Sequence, residues 1–400
     1  MSLQAVIRWI FRRAHPAVAV AVTALAFAAP TEAALAKRPV GDSHVVAQLP
    51  AAPGYPEGIA IRGTTAYVAT AARFGTAVVP PLDPPEVQGF DIKSGKLIAR
   101  YIVVDKDPNQ DHGLSGVAFD GSGRLYVLDT QWGIVRFDPE QTGTVSESDG
   151  VRTAIFDPGG QDRDTLYASA FPDLPPCGSP RHLLQPGDCS PATAGDKPPL
   201  PNDLAFDDAG RLYVSDSLQA TIWVVYPAVS GTSPRPPQVW FQDGALGGAF
   251  GPNGVRVDSS GAWLYVVESV DDNGLGHLYR LTLGSSTGRS LEKVHTYGNA
   301  EVPDNIAFGG SGKIYVTLAG ANQVQVLTAD GVQEDRFSGP AQRSSGDVPY
   351  DMPSGVTLHS ATGALLVNNH SEVLGIPDHF VVFDVYVDDR SEPLIKPLIP

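Results

Sequence analysis

The chain has 400 residues, with 42 glycines, 35 prolines, two cysteines and a formal net charge of −16. That acidity excludes the basic footprint a nucleic-acid partner needs, while leaving a divalent cation open as a ligand. No long stretch after residue 36 repeats apolar residues at helical spacing, and glycine and proline recur along the whole length, as many short strands require.

In chain order, Arg8, Arg12 and Arg13 open a basic start, Pro16 to Ala29 is an apolar run, and Ala34-Leu35-Ala36 offers small residues for cleavage before Lys37. This pattern predicts a signal peptide over residues 1–36 and export to a secreted or periplasmic location. The apolar run is short for a bilayer span, so no membrane span is expected in residues 37–400. The lone strand His44 to Gln48 precedes the first of six similar units and is expected to pair with the last one, removing an open sheet edge.

The units begin Pro56-Glu57-Gly58, Leu114-Ser115-Gly116, Pro201-Asn202-Asp203, Pro252-Asn253-Gly254, Pro303-Asp304-Asn305 and Pro353-Ser354-Gly355. Each opens a short apolar run followed by a turn and a second run, as in Leu125-Tyr126-Val127, Leu212-Tyr213-Val214 and Ile314-Tyr315-Val316. Asn202, Asn253, Asp304 and Ser354 fall 51, 51 and 50 residues apart. A period of about 50 with four short strands per unit predicts an all-β, six-bladed β-propeller occupying residues 37–400 as one domain.

A Pro-rich insertion, residues 171–201, interrupts the repeat before Asn202 and holds both cysteines, Cys177 and Cys189. An oxidising compartment would pair them. In an up-and-down blade this insertion and the Pro-rich stretch Val79 to Pro85 both fall on the face where the inner strands begin, so they are expected to wall a pocket there.

One column of the repeat holds Glu57, Ser115, Asn202, Asn253, Asp304 and Ser354, all oxygen-bearing. Around an axis these oxygens would face one place. Glu, Asn, Asn and Asp make a hard donor set that suits Ca²⁺ better than zinc or copper, with Mg²⁺ asking for stricter geometry. Asp129, Asp216 and Glu268 align at the ends of second strands and are expected to stabilise turns. Gly284 to Gly288 formally matches a serine-hydrolase elbow but lacks the following helix, so it is set aside.

These motifs resemble the senescence-marker-protein/gluconolactonase family, which includes regucalcin, and more distantly the paraoxonase and strictosidine-synthase propellers. The resemblance implies one axial divalent cation, often calcium, and hydrolysis of lactones or related esters. It places Glu57, Asn253, Asp304 and Asn305 among the metal ligands, and Asn202 where an Asn binds metal or substrate. Ser115 stands where paraoxonase-like enzymes have a His; His112, three residues earlier, is the alternative base. Asp304, Asn202 and His112 are accordingly the expected catalytic residues. Two functions fit: a calcium-dependent lactonase or esterase acting on a small molecule, or a non-catalytic propeller that binds a ligand or protein around a structural cation.

Overall fold

The computed structural model describes residues 38–72, 83–107, 112–140, 144–174, 198–227, 234–284, 289–339 and 347–399. Residues 1–37, over which a signal peptide was expected, both cysteines and the middle of the Pro-rich insertion lie outside them. Among the described residues no helix is long and apolar enough to cross a membrane.

The propeller starts with β1 (Ser43–Gln48). Blade one follows as β2 (Ile59–Arg62), β3 (Thr65–Ala69), β4 (Glu86–Asp91) and β5 (Leu97–Val103). Blade two comprises β6 (Leu114–Phe119), β7 (Leu125–Asp129) and β8 (Gly133–Phe137), then, after an extra hairpin of β9 (Thr144–Ser148) and β10 (Val151–Phe156), its outer strand β11 (Leu166–Ala168). Blade three is β12 (Pro201–Phe206), β13 (Leu212–Asp216), β14 (Thr221–Val225) and β15 (Gln238–Gln242). Blade four is β16 (Gly248–Val257), β17 (Trp263–Asp271), β18 (His277–Thr282) and β19 (Glu292–Thr296). Blade five is β20 (Pro303–Phe308), β21 (Ile314–Leu318), β22 (Gln323–Leu327) and β23 (Gln333–Ser338), and blade six is β24 (Pro353–His359), β25 (Ala364–Asn369) and β26 (Val381–Tyr386).

The sixth blade takes its outer strand from the start of the propeller. β1 pairs antiparallel with β26, Ser43 opposite Val385 and Gln48 opposite Val381, so the ring is closed by main-chain hydrogen bonds and β26 has no free edge. The extra hairpin was not legible in the repeat. β10 runs parallel to β5 and turns blade one into a six-stranded sheet. It is held there by packing: Phe156 stacks on Phe137 at 4.5 Å, Phe137 on Tyr101 at 5.1 Å, and Ala154 and Phe156 are fully buried between blades one and two.

The apolar core is divided into six clusters, one between each pair of neighbouring blades. Both faces of a blade are therefore buried, which is why its strands read as continuous apolar runs rather than alternating ones. Blades three and four bury Tyr213, Ile222, Val266 and Leu281 between them; blades two and three bury Tyr126, Trp223 and Val225.

The two mouths of the central channel differ. At one lies the oxygen-bearing column, second in β6, β12, β20 and β24, just before β2 and midway along β16. At the other, the C-terminal strap crosses the opening: Glu392 N donates to Phe308 O, Ser391 bridges Gly309, Gly121 N donates to Pro397 O, and Ile399 is buried between blades two and three. Leu394, Ile395 and Lys396 line the cavity left beneath it with Ile59, Val117 and Leu204.

Candidate metal centre

The first residues of the inner strands sit where backbones approach too closely for ordinary side chains. A β-carbon at Gly254 would lie 2.7 Å from the Cα of Asn305, and one at Gly58 would lie 2.2 Å from the carbonyl oxygen of Ser115. That crowding explains the glycines next to the oxygen-bearing column and brings the column's side chains to the channel mouth.

The six members of the column then divide into two groups. Ser115 Oγ donates to Pro201 O and Ser354 Oγ to Pro56 O, both at 3.1 Å, so these hydroxyls tie each blade to the next. Glu57, Asn202, Asn253 and Asp304 are all buried, and three of their oxygens, Glu57 Oε2, Asn253 Oδ1 and Asp304 Oδ1, accept no hydrogen bond from the protein. Asn253 Nδ2 lies 3.2 Å from Asp304 Oδ2.

A second column, 15 or 16 residues further on, orients the first. Ser217 Oγ donates to Pro252 O and accepts from Asn202 Nδ2 at 3.1 Å; Ser269 Oγ donates to Pro303 O and accepts from Asn253 Nδ2 at 3.1 Å. Each serine has spent its one proton on a carbonyl, so it can only accept from the amide. The amide nitrogens are thereby fixed on their serines, Asn253 Nδ2 also reaching Asp304 Oδ2, and Asn253 Oδ1 is left without a donor. Beside Asp304, which has no amide to orient, the matching position is Ala319; in blade six it is His370. This column was readable at the same spacing but went unrecognised.

His370 is buried. Its Nε2 donates to Ala72 O at 2.6 Å, which turns Nδ1 toward Glu57 Oε2 at 3.1 Å. Glu57 Oε2 thus has an imidazole nitrogen 3.1 Å away. Burial, and next the charge of Glu372, push the Glu57 carboxyl up to about 8. Burial, and next the charge of Glu57, raise Asp304 well above the usual carboxylate range. Two buried acids that destabilise each other's anion, with unpaired oxygens beside an oriented amide, fit a hard divalent cation, which would offset the charge and fill the vacant lone pairs. Among the described residues no three His, Cys, Asp or Glu side chains form a metal site alone; this set pairs two acids with two amides.

The other candidates lie elsewhere. Asn305 Oδ1 accepts from Ile306 N and from Arg256 Nη2, and its Nδ2 donates to Asp203 Oδ2 at 3.3 Å. Its polar atoms are thus engaged with Asp203 and Arg256 in the channel wall. His112 is buried in the connection entering blade two, with Nε2 2.9 Å from Asp83 O and Nδ1 3.1 Å from Asp105 Oδ1. Burial opposes a second proton, but Asp105 outweighs it and the imidazole is raised above its ordinary value.

Asp129 and Asp216 do stabilise turns: Asp129 Oδ1 accepts from Gln131 N and Trp132 N, Asp216 Oδ1 from Leu218 N and Gln219 N. Glu268 does not. β17 runs on to Asp271, whose Oδ1 caps the turn through Asn273 N and Leu275 N, leaving both Glu268 oxygens buried without a hydrogen bond. Burial, then Asp271, raise Glu268 to about 8.

No protein-family model and no curated protein matches the sequence. The fold is similar to that of several solved structures. Regucalcin from Agrobacterium tumefaciens strain C58, described as a calcium-binding protein, is 17% identical over 90% of this chain and 97% of its own, with a TM-score of 0.56. A protein provisionally named a gluconolactonase is 14% identical over 88% of this chain and 94% of its own, at 0.50. The PQQ-bound aldose sugar dehydrogenase of Streptomyces coelicolor is 13% identical over 86% and 98%, at 0.52. The chain is therefore a six-bladed propeller sharing the fold of regucalcin and gluconolactonase-type proteins, the likeness its repeated motifs imply.

Proposed function

We propose that this is an exported, calcium-dependent hydrolase of lactones or related esters, with Glu57, Asn202, Asn253 and Asp304 as the cation's ligands. The observation that carries the reading is the set of three unpaired, buried oxygens on Glu57, Asn253 and Asp304. The calcium described for regucalcin and the lactonase name of a second structural neighbour support it. The dehydrogenase, with the same fold, marks why fold alone does not carry it.

A bound cation would supply electrophilic polarisation of the substrate carbonyl. The chain's own residues do the rest. Ser217 and Ser269 hold the amide nitrogens of Asn202 and Asn253, so the site is organised before anything binds. Glu57 and Asp304 supply the negative charge. Asp304 is assigned as the group that accepts the proton of the attacking water. His112, the alternative base the sequence suggests, is held by Asp105 and Asp83.

The test is a panel of lactones and aryl esters assayed with calcium and with chelator. Hydrolysis that chelator abolishes and calcium restores supports the reading. Hydrolysis indifferent to chelator, or none on any substrate while calcium still binds, favours the non-catalytic propeller. Export and a Cys177–Cys189 disulfide belong to the same proposal; two free thiols in the non-reduced exported protein would contradict the latter.

A further inference from the structure

The residue three places after the oxygen-bearing column forms a third column along the channel. It reads Ala60, Ala118, Ala205, Arg256, Ala307 and Thr357, so five blades present a small side chain and blade four a guanidinium. Five of the six, Arg256 and Thr357 among them, line the cavity beneath the C-terminal strap, and the strap itself contributes Lys396. The cavity encloses about 520 Å³, open water at its mouth included, the size of a small-molecule site.

The polar side chains of this cavity are donors, and they are spare. Arg256 spends Nε on Ile306 O at 3.2 Å, and Nη2 on Ile306 O at 3.1 Å and Asn305 Oδ1 at 3.3 Å. Both N–H groups of Nη1 are left without an acceptor among the described residues. Among the same residues Lys396 Nζ forms no ion pair and Thr357 Oγ1 no hydrogen bond, and no Asp or Glu lines the cavity. Asp203 feels the charge of Arg256, but its Oδ2 is taken by Val255 N and Asn305 Nδ2. Lys396 is exposed as a residue, so an ion can reach it from solvent. Desolvation, and next the charge of Arg62, lower its ammonium below the ordinary lysine range. Arg62 is itself met by Asp138 and Glu140, at 3.6 and 3.2 Å. A chain of net charge −16 thus keeps one cavity whose charged lining is cationic alone.

An anion would balance that charge, and the lining selects which one. The donors are few, and the rest of the wall is aliphatic, with Val117, Leu204, Leu394 and Ile395. Phosphate would bring more oxygens than these donors can satisfy and leave some against alkyl groups, which is costly. A carboxylate brings two oxygens, a single charge and a carbon body. We propose that this cavity is a binding site for a small organic carboxylate, its oxygens bonded to Arg256 Nη1, Lys396 Nζ and Thr357 Oγ1 and its carbon chain along the strap. The site lies at the opposite mouth from the candidate metal centre and does not rest on the hydrolase reading.

The test is a calorimetric titration of sodium hexanoate, and separately of inorganic phosphate, into the full chain with calcium present and ionic strength held constant. Wild type is compared with K396M and K396R. Arg256 also ties blade five through Ile306 O, so Lys396 is the position that decides. Lys396 is exposed and forms no ion pair among the described residues, so both variants should match wild type in melting temperature and calcium affinity. Wild type should bind one hexanoate at least tenfold more tightly than phosphate. K396M should lose tenfold or more of that affinity, and K396R, which keeps the charge, should recover most of it. No binding of hexanoate, or phosphate bound as tightly, would overturn the proposal. So would an affinity unchanged in K396M, which would place the carboxylate elsewhere, a calcium ion at the ring included. None of these results bears on the hydrolase reading, which the lactone panel tests by itself.

Discussion

Asn253 and Ser354 occupy the same position in the repeat, two blades apart, and do opposite things. Ser354 gives its only proton to Pro56 O across the sixth and first blades. Asn253 has its amide nitrogen held by Ser269, and its oxygen is left unpaired at the channel mouth. The column by itself does not decide between closure and ligation. The residue 15 or 16 positions further along does: serine behind each ring amide, His370 beside Ser354. A closed propeller needs every blade joined, but a cation site needs only an arc of them, and blades one, three, four and five supply that arc.

The largest way to break this contrast is to remove a ring acid. Glu57→Gln should weaken calcium binding at least a hundredfold in a calorimetric titration. It should also raise the melting temperature of the calcium-free protein at pH 8.5, because a buried carboxylate that must ionise beside Asp304 destabilises the fold. The sign follows from linkage. The Glu57 pKa is raised to about 8 in the folded state against 4.5 for the unreacted side chain, so its contribution is complete below 4.5, falls away as pH climbs to about 8, and is flat above. Loss of stability in Glu57→Gln at pH 8.5 would show that the acid is paired by something else.

Removing the support rather than the ligand is the next step down. Ser269→Ala frees the Asn253 amide to rotate and should cost roughly tenfold to a hundredfold in calcium affinity, the range for partners that orient a ligand. An unchanged affinity would mean that Ser269 is only a blade-to-blade tie through Pro303 O.

Glu268 sharpens the comparison off the axis. With the ring saturated by calcium, wild type should lose stability between about pH 4.5 and pH 8 as native Glu268 gives up the proton the unfolded chain has already lost. Glu268→Gln should flatten that slope, read as melting temperature against pH, without altering calcium affinity. Equal slopes would place a cation or donor on Glu268.

The smallest effect belongs to the closure serines. Ser354→Ala should cost about 1 kcal/mol in denaturant unfolding, the net worth of one hydrogen bond, and leave calcium affinity untouched. A large fall in affinity would put Ser354 in the ring.

The repeat carried most of the fold because closing a ring of like blades demands like residues at like places: Pro201, Pro252 and Pro303 recur at 51 residues, and the lone strand 43–48 did close the last blade. The hairpin β9–β10 escaped notice because its pairing with β5 is parallel and distant in sequence, and only Phe156 and Ala154 record the contact. The C-terminal strap belongs to no repeat. At the site, the ring acids and amides were legible as a column, whereas Asn305's turn toward Asp203 and Arg256 depends on a neighbouring blade that one strand's sequence does not contain. Glu268 was misplaced because β17 outlasts its counterparts and passes the capping duty to Asp271.

The central claim is that four side chains from four blades bind one divalent cation only in the closed propeller. Its most direct test is a pair of melts, wild type and Asp304→Ala, each with calcium and with chelator. A ligand bound only by the native state stabilises it by about 2.7 kcal/mol at a hundredfold excess over Kd, so wild type should melt several degrees higher in calcium, and Asp304→Ala should lose that gain. A wild type indifferent to calcium, or an Asp304→Ala protein that keeps the full gain, would contradict the account.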